Sequence, residues 1–241
     1  MNQEDKQSAR QIWIIGGGRF GSRALKFITE RFPCHQLVVV DPDPCSPAAS
    51  QAEPEGFPHI QLIREDGIAW LVKQLTPTTP VDWLIPALPA HLCALWLRGI
   101  MQREGWYCRA SEIPEQSIAS LPNPLNLSPD CVAVSSANFL CPEDCLEPAL
   151  FCTVTGEPRQ QHLYEAIACL DKQETLLVND SRFHVCVVRS HQLGPGVGGL
   201  QAKDLWALKN WATQYPDEPL LVGTACRCHG IISGLVCSRS N

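Results

Sequence analysis

The stretch GGGRFG at residues 16–21 constrains the fold of this chain more than any other feature. It fits the pattern G-x-G-x-x-G, with Gly16, Gly18 and Gly21 in the three glycine positions. The apolar run at residues 11–15, immediately before it, predicts a buried parallel strand. A glycine pattern of this kind is informative when a strand leads into it and a helix follows, and the first condition is met here.

The residues that follow complete the expected context. Apolar side chains recur at helical spacing over residues 19–31, and the β-branched run 37–40 predicts a second strand that ends at Asp41. Asp41 lies twenty residues beyond Gly21, the separation expected of the acidic residue in a dinucleotide-binding Rossmann domain. The sequence therefore predicts such a domain at the N-terminus.

Further strands and helices alternate along the chain, so we expect an α/β protein with an N-terminal Rossmann parallel sheet and a second, cysteine-rich α/β domain. The predicted organisation is a disordered tail at 1–10, a dinucleotide-binding domain at 11–108, a proline-rich linker at 109–129 and the second domain at 130–241. Five prolines within residues 42–58 predict a loop there.

Each residue of the glycine loop has a predicted role in holding a nucleotide. Gly16 makes the tight turn, Gly18 lets the backbone approach the pyrophosphate, and Gly21 lets the helix pack against the strand. Arg19 and Phe20 begin the helix, whose N-terminal amides face the phosphates. The alternative is a domain of the same fold with an empty site.

Asp41 predicts the choice of nucleotide. Its carboxylate would accept hydrogen bonds from the adenosine ribose. Pro42 and Asp43 follow, and no arginine is present to receive a 2′-phosphate, so the sequence favours NAD(H) over NADP(H).

Residues 14–23 and 38–44 together resemble the N-terminal nucleotide-binding domain of Trk-type potassium-uptake regulators. The resemblance covers about residues 11–100, which is under half of the chain. It implies NAD(H) binding at the three glycines and the aspartate named above. It also suggests a regulatory function.

Composition limits the remaining function classes. The net charge of −6, without a cluster of Lys or Arg, argues against nucleic-acid binding. The polar N-terminus lacks the apolar segment of a signal peptide, and we expect neither membrane insertion nor secretion but a cytoplasmic protein. Thirteen cysteines in a reducing compartment then call for an explanation other than a disulfide framework.

Five of the cysteines form two closely spaced groups. Cys141, Cys145 and Cys152 have the spacing C-x3-C-x6-C, and Cys226 and Cys228 lie far downstream. If the two groups meet, their thiolates suit a zinc ion or an iron–sulfur cluster. A redox-active dithiol without metal and a purely structural role are the alternatives. Six other cysteines have apolar neighbours and are expected in the core: Cys34, Cys93, Cys108, Cys169, Cys186 and Cys237.

The second half offers two weak candidates for a catalytic base, His191 and His229. The glycine-rich stretch 194–199 follows a predicted strand and is expected either to hold an anion or to serve as a flexible connector.

Three functions fit these features. The first is an NAD-linked redox enzyme with a cysteine-ligated metal or cluster. The second is a non-catalytic NAD(H) sensor, read by a protein partner or through self-assembly. The third is a structural metal domain beside a nucleotide domain.

Overall fold

The structure, a computed structural model, describes residues 10–55, 59–172, 177–178 and 181–239. Residues 1–9 of the disordered tail predicted at 1–10 lie outside the described residues. The chain divides into two compact units, Met1–Leu88 and Pro89–Asn241. Each unit contains its own main sheet. Among the described residues, no helix combines the length and apolar character needed to cross a membrane.

The first unit is built on a four-stranded parallel sheet in the order β3-β2-β1-β4. Its elements in chain order are β1 (Gln11–Ile15), α1 (Arg19–Arg31), β2 (Gln36–Val40), α2 (Pro47–Glu55), β3 (Ile60–Ile63), α3 (Gly67–Gln74) and β4 (Val81–Pro86). This is the order of the first four strands in a Rossmann sheet.

Burial explains why these segments form this sheet. Four of the five residues in β1 and in β2 are buried, as expected for parallel strands covered on both faces. Helix α1 contributes a buried stripe formed by Gly21, Ala24, Leu25 and Ile28, which repeat at helical spacing. The central position of β1 places the loop that follows it at the carboxyl edge of the sheet.

The second unit contains a larger, mixed sheet. Its elements are α4 (Leu92–Arg103), β5 (Trp106–Ala110), α5 (Glu115–Ile118), β6 (Leu125–Ser128), β7 (Cys131–Ser135), α6 (Leu163–Ala168), a 3-10 helix (Cys169–Lys172), β8 (Leu177–Val178), β9 (Ser181–Arg182), β10 (His184–Arg189), β11 (His191–Gly194), β12 (Val197–Gly199), α7 (Ala202–Ala212), β13 (Pro219–Ala225) and β14 (His229–Arg239).

Strand β14 organises this sheet. One edge of β14 pairs with β13. Along the other edge, the first half of β14 pairs with β7 and the second half pairs with β5. Strand β10 runs parallel to β13, and β6 pairs with β7. Ile167 from α6, Leu221 from β13 and Ile232 from β14 belong to one buried cluster. The predicted α/β class, with a parallel sheet and a second cysteine-containing unit, is confirmed.

The division between the units differs from the predicted linker at 109–129. It falls between Leu88 and Pro89, because α4 and β5 belong to the second unit. Strand β5 pairs antiparallel with β14, a contact between segments more than a hundred residues apart that no local pattern reveals. The loop expected at 42–58 is also corrected, since it contains α2. Pro47 is the first residue of that helix, where a missing N–H is tolerated.

The cysteine predictions need a second correction. Cys108 and Cys237 form a disulfide between β5 and β14, although disulfides were not expected. The two residues oppose each other in the antiparallel register, so their side chains share one face of the sheet. Cys93 is buried as predicted, whereas Cys34 and Cys169 are exposed.

Candidate functional site

The three glycines of the loop differ in what surrounds them. Gly16 has φ of +105°, and a Cβ there would lie 2.5 Å from the Ala87 carbonyl oxygen. A Cβ on Gly21 would lie 2.0 Å from the carbonyl oxygen of Gly16. At Gly18, no atom of the described residues beyond its chain neighbours lies within 4 Å of the same position. The fold itself therefore requires the first and third glycines, whereas the second faces open space.

Asp41 follows β2 and lies directly beside the glycine loop. One carboxylate oxygen accepts a hydrogen bond from the backbone N–H of Gly17 at 2.5 Å, and the other accepts one from Asp43 at 2.8 Å. The structure thus brings together the predicted aspartate and the predicted loop. Arg19 and Phe20 are exposed in the first turn of α1, where backbone amides have no partner within the helix.

The second unit contains a cavity of about 900 Å³. Residues from both cysteine groups line it, although the groups are more than seventy residues apart in the chain. They are Cys141, Cys145, Cys152, Cys226 and Cys228, with His229 beside them. The structure therefore places both cysteine groups around the same cavity.

Backbone amides point at three of these sulfurs. The Sγ of Cys226 accepts from the N–H groups of Cys228 at 3.5 Å and His229 at 3.3 Å. The Sγ of Cys145 accepts from the N–H of Glu147 at 3.3 Å. The sulfur of Cys152 accepts hydrogen bonds from the backbone N–H groups of Val154 and Thr155. In each case the donors lie two or three residues after the cysteine, and they favour a negatively charged sulfur.

A buried glutamate joins the two cysteine segments. The carboxylate of Glu147 accepts a short hydrogen bond from the backbone N–H of Arg227, and its carbonyl oxygen accepts from the Arg227 guanidinium at 3.1 Å. Glu147 has φ of +47°, an unusual conformation for a residue with a side chain. Its link to Arg227 spans 80 residues and has no sequence signal.

The glycine-rich stretch 194–199 is part of a hairpin and not a flexible connector. Strands β11 and β12 pair antiparallel and form a hairpin, with Gly196 at φ of +67° in its turn. The N–H of Gly196 and the side-chain amide of Gln192 both donate to the carbonyl oxygen of Cys145. The hairpin therefore holds the cysteine loop in place.

The thiols of the cavity differ in acidity. Burial, together with Glu147, raises the pKa of Cys226 to about 12, and burial raises the pKa of Cys228 to about 11. The pKa of Cys152 is lowered, because backbone N–H groups of Thr155 and Val154 donate to its sulfur. Of these three thiols, that of Cys152 is therefore the most readily ionised.

Two observations limit the chemistry of the cavity. His229 lines it, but His191 lies in β11 and is not among its lining residues. Within the part of the chain that the structure describes, no three Cys, His, Asp or Glu side chains already surround a common point suited to a metal ion.

Comparison with known proteins identifies a relative and a family. An "Uncharacterized protein" from Archaeoglobus fulgidus is 26% identical over 230 residues, which cover 92% of this chain and 97% of that protein. A family described as "Uncharacterized protein, C-terminal domain" matches residues 82–238, which include all the cysteines of the cavity and exclude the glycine loop. Because this match spans more than half of the sequence, the chain belongs to that family.

Proposed function

We propose that this protein binds NAD(H) at the loop formed by residues 16–21. The observation that carries the proposal is the contrast among the three glycines. A Cβ at Gly16 or Gly21 would collide with backbone, but a Cβ at Gly18 would have no contact within 4 Å among the residues that the structure describes. A glycine at that position is explained by a ligand that must approach the backbone closely, as a pyrophosphate does.

The surroundings of the loop supply the remaining contacts. The pyrophosphate lies at the N-terminus of α1, where the amides of Arg19 and Phe20 and the helix dipole favour negative charge. Asp41 lies at the edge of the loop, and its carboxylate accepts the ribose hydroxyls. A 2′-phosphate would meet the carboxylate of Asp41, and the acidic Asp43 follows two residues later in the chain, which favours NAD(H) over NADP(H).

The experiment is a fluorescence titration of NADH against the wild-type protein and Gly18→Val. The variant should lose at least tenfold in affinity and keep its thermal transition, because the new side chain enters ligand space only. Gln61→Val, an exposed substitution in β3, is the matched control and should bind NADH as the wild type does. Equal NADH affinity of Gly18→Val and Gln61→Val would refute the site.

We propose further that the bound nucleotide serves a redox reaction. NADH delivers two electrons as hydride, and thiol–disulfide pairs also exchange two electrons. The second unit is rich in such groups, including one disulfide and the five cysteines of the cavity. Consumption of NADH with a disulfide acceptor supports an enzyme, with one NAD⁺ and two thiols formed for each NADH and proton consumed.

A non-catalytic sensor is the second candidate, favoured by the pattern of residues 14–23 and 38–44. A sensor must bind NAD⁺ and NADH with different affinity or change its assembly with one of them. Sedimentation with each nucleotide, in the absence of an electron acceptor, tests this. An unchanged assembly together with equal affinities would exclude the sensor.

A further inference from the structure

We propose that Cys145, Cys152 and Cys226 are thiolate ligands of one metal centre in the cavity of the second unit. The inference is independent of the nucleotide site, since all three cysteines lie in the second unit. The class of ligand is a thiophilic metal, either a zinc ion or an iron–sulfur cluster, because both are held by cysteine thiolates.

Hydrogen bonding distinguishes these three sulfurs from an arbitrary group of cysteines. Each sulfur accepts hydrogen bonds from backbone N–H groups of residues that follow the cysteine by two or three positions. Such donors stabilise a sulfur that carries negative charge, which is the form that binds metal.

Two further connections keep the sulfurs near one another. Glu147 joins the cysteine loop to the segment that carries Cys226, through the backbone and guanidinium of Arg227. The hairpin formed by β11 and β12 holds the carbonyl oxygen of Cys145 with two donors. The loop is therefore attached to the rest of the unit at the residues that flank its sulfurs.

The cavity also offers a fourth sulfur and a compensating charge. Cys141 and Cys228 line the same cavity as Cys145. The guanidinium of Arg159 lies near both of them, and its Nε donates to the carbonyl oxygen of Pro148. Four thiolates around a divalent ion leave a net negative charge, which an adjacent arginine offsets.

Metal binding must draw the loop inward, since the thiols do not yet surround a single point. Cys152 lies in a turn closed by the hydrogen bond from the N–H of Gly156 to its carbonyl oxygen. That turn can move as a unit and carry its N–H donors with the sulfur. We expect metal to protect residues 141–156 from proteolysis.

The first experiment titrates Co²⁺ into the reduced full-length protein without oxygen and records thiolate-to-cobalt absorption. We expect saturable binding and displacement by Zn²⁺. Cys145→Ser and Cys152→Ser should each weaken Co²⁺ binding at least tenfold. Cys152 is the safer position, because its side chain is only partly buried and its loss should not disturb folding. The exposed Cys34 and Cys45, changed to Ser, are controls that should bind like the wild type.

The second experiment measures zinc, iron and acid-labile sulfide in protein purified without oxygen. Stoichiometric zinc assigns a single ion, and iron with equal sulfide assigns a cluster; both support the proposal if Cys152→Ser removes the metal. Absence of thiolate-to-cobalt absorption in the wild type would overturn it. So would wild-type Co²⁺ affinity in both Cys145→Ser and Cys152→Ser.

Discussion

His91 should make the stability of the second unit depend on pH. The residue is 6% exposed, and its two ring nitrogens lie 2.8 Å from the Ser233 hydroxyl and 2.9 Å from the Thr224 hydroxyl. Burial lowers its pKa from 6.5 to about 3. In the folded protein the imidazole therefore stays neutral at a pH at which the unfolded chain binds a proton.

The sign and size of the effect follow from this difference. Above pH 6.5 neither state binds the proton, and His91 adds no pH dependence. Below pH 6.5 only the unfolded state binds it, so stability falls by roughly 1 kcal/mol for each pH unit until the pH approaches 3. At pH 5.5 the loss is about 1 kcal/mol, or roughly 2–4 °C in Tm for a protein of this size.

Thermal unfolding followed by circular dichroism at pH 7.5, 6.5 and 5.5 is the assay. His91→Gln keeps a hydrogen-bonding side chain but removes the titrating group, so its Tm should fall less than that of the wild type across this range. Gln102→Ala, at an exposed position of α4 without a titrating group, is the control and should retain the wild-type decrease. An identical decrease for the wild type and His91→Gln would refute the reasoning.

Three further substitutions test the fold. Gly21→Ala should lower the stability of the first unit by about 3 kcal/mol or more, since its Cβ would overlap a backbone carbonyl oxygen; a Tm within 2 °C of the wild type would contradict this. Cys108→Ser removes the disulfide to Cys237, which closes a long loop, and should cost about 2–4 kcal/mol; a wild-type Tm that a reductant leaves unchanged would argue against the bond. Glu147→Ala leaves the buried N–H of Arg227 without its acceptor and should speed proteolysis of the cysteine loop, and an unchanged cleavage rate would count against that link.

Local patterns were sufficient for the two central strands of the first unit. Strands β1 and β2 are short, parallel and buried on both faces, so they appear in the sequence as apolar runs. The glycine loop and Asp41 could be predicted as neighbours, because consecutive parallel strands end at the same edge of a sheet. The proline content of residues 42–58 predicts a loop and conceals helix α2. Pro47 is nevertheless compatible with this helix, because it occupies the first helical position.

The second unit depends on contacts between distant segments, which local patterns do not encode. Strand β5 was assigned to the first domain because its pairing with β14 cannot be seen in residues 106–110 alone. The disulfide was missed for the same reason, since it depends on that register. The spacing of the cysteines identified the five cysteines that line the cavity. It did not identify Glu147, because the carboxylate of this residue accepts its hydrogen bond from Arg227, which lies on a distant segment of the chain.

The central claim is that the loop at residues 16–21 holds NAD(H), and calorimetric titration of the wild-type protein with NADH and then with NADPH tests it most directly. We expect saturable binding of one NADH per chain, with NADPH at least tenfold weaker because its 2′-phosphate would be repelled by the Asp41 carboxylate beside the loop. No measurable heat with NADH, NAD⁺ or NADPH at millimolar concentration would contradict it.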